Sequence, residues 1–150
     1  MSREFYDKLF MDLAETTAKD STCLGRQVGA VIVKNNEIIA TGYNTVPDSQ
    51  LSCIVQGFCY AGVDSCAESD RPSRSIHAEV NAIAQAAMLS GGVKGATIYT
   101  TLHPCLNCMK AIAAAQISEV VFRDEPLETR ACHVIDEYKH YLRIRKHHAD

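Results

Sequence analysis

Two short segments constrain this chain more than any others: His77-Ala78-Glu79 and Pro104-Cys105-Leu106-Asn107-Cys108. Each stands where a helical pattern begins. Ala78 to Leu89 is rich in Ala and Leu and is stopped by Gly91-Gly92, and Cys105 to Ala115 has similar composition. Two cysteines three apart in the first turn of a helix can place both sulfurs on one metal ion, and the positive helix end lowers the cost of the thiolates. His77 supplies a third ligand, which requires the two helix starts to meet. Three protein ligands leave one position of a tetrahedral zinc for water, which marks a catalytic rather than a structural site. Glu79 then sits near the metal without binding it. Taken singly, a Cys-x-x-Cys is a structural zinc half-site or a redox pair, but a thioredoxin-type pair follows an early strand and this one comes late. The conjunction of both motifs points to a catalytic zinc.

The surrounding pattern is α/β. Phe5, Leu9 and Leu13, with Tyr6 and Phe10 beside them, predict a first helix over residues 3–18 with that stripe buried. Val28–Val33 and Glu37–Tyr43 are β-branched runs joined by Lys34-Asn35-Asn36, a hairpin signal. Thr97–Thr101 and Val120–Phe122 read as further strands, so the later strands run parallel through helical crossovers. Residues from about 45 to 75, with Pro47, Pro72, Gly57 and Gly62, show no period and predict a long loop insertion in one domain spanning 1–150. Val134, Ile135, Tyr138, Tyr141 and Leu142 suggest a C-terminal helix, although Leu142-Arg143-Ile144 equally suits a fifth strand. The basic run Arg143–His148 reads as a solvated end.

Composition narrows the function classes. A net charge of −3 has the wrong sign for a phosphate-backbone partner, and with no Trp and ten scattered Phe and Tyr there is no stacking track for polynucleotide bases. A small-molecule substrate fits better. No apolar run approaches a membrane span, and the amino terminus lacks a signal-peptide pattern, so a cytoplasmic protein with reduced or metal-bound cysteines is expected. Cys23, Cys53, Cys59 and Cys66 either tether the long loop through a second, structural zinc or are small buried hydrophobes; their spacings are not those of a zinc knuckle. Cys132 reads as a core cysteine.

His-x-Glu followed by Pro-Cys-x-x-Cys is the ligand signature of zinc-dependent nucleobase deaminases. Ser21–Val33, with its Cys23-Leu24-Gly25-Arg26, joins Thr41-Gly42-Tyr43-Asn44, His77–Ile83 and Lys94–Tyr99 in extending the match over about residues 3–122. On these segments the chain resembles the cytidine and deoxycytidylate deaminase superfamily, in particular the deoxycytidylate (dCMP) deaminases of bacteria and phages; the long stretch between Asn44 and His77 is unlike tRNA adenosine deaminases. The resemblance implies a three-layer α/β/α cytidine-deaminase-like fold with a mixed central sheet and hydrolysis of dCMP to dUMP and ammonia. It also implies a homohexamer, with activation by dCTP and inhibition by dTTP at a separate Mg²⁺-assisted site.

The resemblance also assigns roles. Zinc lowers the pKa of water to about 7, and Glu79 carries a proton from that water to N3 of the cytosine and on to the leaving ammonia. Asn44 hydrogen-bonds the sugar and the Ala78 backbone N–H holds the pyrimidine carbonyl. Arg26, Arg71 and Arg74 are candidates for the 5′-phosphate, which guanidinium grips bidentately, or are simply surface charges. Two departures from the family pattern stand out: Thr45 replaces the glycine usual after Asn44, and Gly25 replaces a cation near the presumed regulatory site. The alternatives are a deaminase of another cytosine nucleoside or nucleotide, a polynucleotide-base deaminase, and a catalytically silent zinc-fold binding module; the intact Glu79 and ligand set argue against the last.

Overall fold

The computed structural model describes residues 1–59, 74–89, 92–125 and 132–148, with backbone alone at 132 and 133. Along the chain run α1 (Arg3–Ala18), β1 (Gly29–Lys34), β2 (Glu37–Tyr43), α2 (Cys53–Gln56), α3 (Ala78–Leu89), β3 (Thr97–Leu102), α4 (Leu106–Ala114), β4 (Glu119–Asp124), α5 (Cys132–Glu137), a 3-10 turn (Tyr138–His140) and β5 (Arg143–Lys146). The C-terminal region thus holds both alternatives left open by the sequence, a helix and then a fifth strand.

The sheet order is β2-β1-β3-β4-β5. β1 pairs antiparallel with β2 and β3, while β3–β4 and β4–β5 are parallel, so the expected mixed sheet is present. Asn35 (φ 52°) and Asn36 (φ 60°) close the β1–β2 hairpin with the two positive φ angles of a type I′ turn. Alternate residues of the central strands face opposite layers. Ala30, Ile32, Ile98 and Val120 pack with α3 and α4, whereas Val31, Val33, Tyr99 and Val121 pack with Phe10, Met11 and Ala14 of α1.

Two glycines set how closely these layers approach. A Cβ at Gly29 would lie 2.1 Å from the Ala14 carbonyl oxygen, and one at Gly42 would lie 2.4 Å from the Ala82 nitrogen. Helix backbone therefore rests directly on strand backbone at both places. This corrects the expected stripe on α1 at Phe5 and Leu9, while Phe10 is buried as expected and Tyr6 and Leu13 pack against its cluster. Phe5 is 46% exposed and Leu9 47%, whereas Phe10, Met11, Ala14 and Ala18 are buried. Contact at Gly29 requires the small Ala14 and Ala18 to face the sheet, which rotates Phe5 and Leu9 outward.

The basic run near the C-terminus also departs from expectation. Arg145 lies in β5 and its guanidinium grips Asp7 of α1 through two 2.7 Å hydrogen bonds, while Nε donates to Glu119 of β4. Tyr99 donates to the same Asp7 carboxylate at 2.8 Å. The cluster ties α1 to three neighbouring strands. No described helix is long and apolar enough to cross a membrane.

In the region expected to be a loop, Ser52 caps the single turn α2, which ends at Gly57 in the left-handed conformation. Four residues are too few to show a period. Cys53 and Cys59 are buried with Val46; Cys66 and Arg71 lie outside the described residues, as does the Cys132 side chain. Thr45 and Ile76 pair through two backbone hydrogen bonds of 3.2 and 2.8 Å. Thr45 has no positive φ, so the missing glycine costs nothing there.

Candidate active site

His77 and Cys105 each occupy the position just before a helix. The His77 carbonyl accepts the first bond of α3, from Asn81 N–H at 2.9 Å, and the Cys105 carbonyl that of α4, from Met109 N–H at 2.8 Å. Cys105 is thus the N-cap of α4 rather than part of its first turn, and Cys108 follows in that turn. β3 ends at Leu102 and delivers Pro104-Cys105 to the edge of α3, while Asn81 Nδ2 donates to the Tyr43 carbonyl at 2.9 Å and fixes α3 to the end of β2. The positive ends of both helices face one point.

At that point His77 Nδ1 is 3.5 Å from Cys105 Sγ and 3.3 Å from Cys108 Sγ, and all three donor atoms lie within 4.8 Å of one another. A tetrahedral zinc with its usual bond lengths separates nitrogen from sulfur by about 3.5 Å. The three residues therefore fit zinc, and they are the metal-compatible group among the described residues. The Cys105 thiol is pulled down to about 4 by the hydrogen bond it accepts from Cys108, against burial, and further by the imidazole of His77. Cys108 is pushed up by that same bond and by burial. His77 is raised by its contact with the Cys105 sulfur.

Glu79 is the second residue of α3 and only 4% exposed. Burial raises its pKa, opposed by its own backbone N–H, His77 and Cys108. It touches Cys108 and Thr100, whose Oγ1 lies 3.3 Å from Glu79 Oε1. Sequence reasoning missed Thr100. The available signal was its place in β3, two residues from core Ile98 on the same face, where a hydroxyl needs a partner.

The candidate substrate ligands differ in what holds them. Ala78, fully buried, is the first residue of α3, and an N–H at that position has no intrahelical acceptor. Asn44, also buried, spends three of its four hydrogen-bonding positions on the protein: Oδ1 accepts from Ser21 and from Val28 N–H, and Nδ2 donates to the Arg26 carbonyl. One amide proton remains. Arg26 lies 3.7 Å from Asp124, and Arg74 Nη2 reaches Gln50 and the Leu51 carbonyl at 3.4 and 3.3 Å. Each arginine keeps a buried Nη1 without a hydrogen-bond partner among the described residues.

A family model described as the cytidine and deoxycytidylate deaminase zinc-binding region matches residues 5–124. The deoxycytidylate deaminase of Enterobacteria phage T2 is 35% identical over 143 residues, covering 75% of this chain and 76% of that protein. The deoxycytidylate deaminase of Schizosaccharomyces pombe is 37% identical over 122 residues, covering 80% of this chain but 37% of that longer protein. Among solved structures, the dCMP deaminase of cyanophage S-TIM5 in complex with dCMP and dUMP matches with a TM-score of 0.75 at 28% identity, covering 97% of this chain and 98% of that one. The family match runs through both motif-bearing helices and every strand but the last, and on it this chain belongs to the cytidine and deoxycytidylate deaminase family.

Proposed function

We propose that this chain hydrolyses dCMP to dUMP and ammonia, with zinc held by His77, Cys105 and Cys108. The observation that carries the proposal is a non-ligating carboxylate, Glu79, buried directly against a His-Cys-Cys cluster of zinc dimensions. The T2 and fission-yeast relatives, and the solved structure holding dCMP and dUMP, support the substrate.

When bound, zinc supplies a water acidified to a pKa of about 7. With zinc bound by His77, Cys105 and Cys108, Glu79 would take a proton from the attacking water and pass it to N3 of the pyrimidine, and in a second transfer would deliver a proton to the amine that leaves C4 as ammonia. Burial raises the Glu79 pKa and keeps bulk water from the carboxylate that carries the proton. The Ala78 N–H receives the pyrimidine carbonyl and the remaining amide proton of Asn44 receives the sugar. Arg26 and Arg74, each with a buried Nη1 to spare, are assigned to the 5′-phosphate. From the family resemblance come the finer expectations: a homohexamer, activated by dCTP and inhibited by dTTP with Mg²⁺.

The test is ammonia release by zinc-loaded protein from dCMP, deoxycytidine, dCTP and a cytosine-containing oligonucleotide, with and without dCTP and dTTP. Turnover confined to dCMP is expected, altered by the two triphosphates. Turnover of another substrate would move the substrate assignment and keep the zinc chemistry, and no turnover would favour a binding module.

A further inference from the structure

We infer that Thr100 is a positioning residue for Glu79, its hydroxyl fixing the direction in which the carboxylate presents its proton; this rests on the proton-carrying role proposed for Glu79. Thr100 is completely buried in β3, two residues from Ile98 and so on the sheet face covered by α3 and α4. Its Oγ1 has two acceptors in reach, Glu79 Oε1 at 3.3 Å and the Leu102 carbonyl at 3.0 Å. The contact with Oε1 ties one carboxylate oxygen of Glu79 to β3, and the contact with the Leu102 carbonyl orients the threonine side chain that makes it. Without the tie to Thr100 the carboxylate keeps its contacts with Cys108 and its own backbone N–H but loses its hold on β3; its terminal torsion is intrinsically soft, and proton transfer depends on that alignment.

Valine keeps the shape of threonine and removes the hydroxyl, whereas serine keeps the hydroxyl. The experiment compares Thr100→Val, Thr100→Ser and Glu79→Gln by kcat and KM for dCMP, by zinc per chain, and by crystal structures of the zinc-loaded variants. Thr100→Ala is the second hydroxyl-free variant should valine fail to fold. The hydroxyl-free variant is expected to lose at least about tenfold in kcat, with KM within about twofold, zinc unchanged and the Glu79 carboxylate turned away from β3. Serine is expected to restore most of kcat. Wild-type kcat without the hydroxyl alongside an inactive Glu79→Gln would overturn the role of Thr100 alone, as would serine no faster than valine or zinc lost from the valine variant. An active Glu79→Gln would instead remove the proton-carrying role on which the inference stands.

Discussion

Replacing Arg145 with Met should be among the most damaging single changes far from the candidate active site. The methionine occupies similar space but leaves Asp7, 7% exposed, with the Tyr99 hydroxyl in place of two guanidinium bonds and a full positive charge. Removing one partner of a buried pair costs about 3–5 kcal/mol. The Arg145 side chain retains 23% exposure, so water screens part of the interaction and the lower end, about 3 kcal/mol, applies. For a chain of this size that is a fall in Tm of roughly 6–12 °C. The pH dependence provides a second signature. Burial alone would raise the Asp7 pKa, but the Arg145 and Tyr99 hydrogen bonds outweigh it and hold the carboxyl below its usual range. A depressed folded pKa contributes stability that is present above the unfolded value, about 3.9, and is lost as pH falls through the folded value. In the Met variant Asp7 protonates more readily, so the gap from wild type should be widest near pH 7 and shrink below about pH 4. Urea unfolding followed by circular dichroism, at fixed zinc and protein concentration, measures both. A gap under about 1 kcal/mol at pH 7, the scale of an exposed pair, or one indifferent to pH, would refute the buried-cluster account.

Glu79→Gln should lower kcat for dCMP by at least ~10²-fold while metal analysis finds zinc per chain unchanged, because the carboxylate lies outside the ligand set. Cys108→Ser removes a thiolate ligand and should lose zinc to a mild chelator that wild type resists, with ammonia release falling in proportion; full zinc retention would show that the triad does not hold the metal. Gly42→Ala drives a methyl into the α3 backbone, 2.4 Å from Ala82 N and 2.5 Å from the Ala78 carbonyl oxygen. Overpacking of this kind costs about 1–3 kcal/mol, and a shift of about 1 Å in the first turn of α3 should lower turnover by up to ~10²-fold; thermal unfolding and the ammonia assay would show either effect absent.

The elements legible in the sequence were those with strong local signals. The Asn35-Asn36 turn, the apolar β1 and β4 runs and the Ala-rich α3 and α4 all declare themselves within a few residues, and the His-x-Glu and Pro-Cys-x-x-Cys segments carry their ligand spacing with them. What stayed hidden depends on partners distant in the chain. The outward turn of Phe5 and Leu9 on α1 is invisible locally because the close contact at Gly29 sets which side docks. Arg145 looked like part of a solvated basic tail because Asp7 stands 138 positions away. Thr100 carried no motif at all, and its contact with Glu79 exists only because β3 runs beneath α3.

The short antiparallel bridge between Thr45 and Ile76 uncouples the segment it closes from the residues on either side. It fastens the chain immediately after Asn44 and immediately before His77, so the segment between is an excursion whose two ends are fixed to the scaffold. Lengthening such a closed excursion is cheap, about 0.6 kcal/mol for each doubling. The length or composition of that segment can therefore change without moving the histidine or the glutamate that follow it.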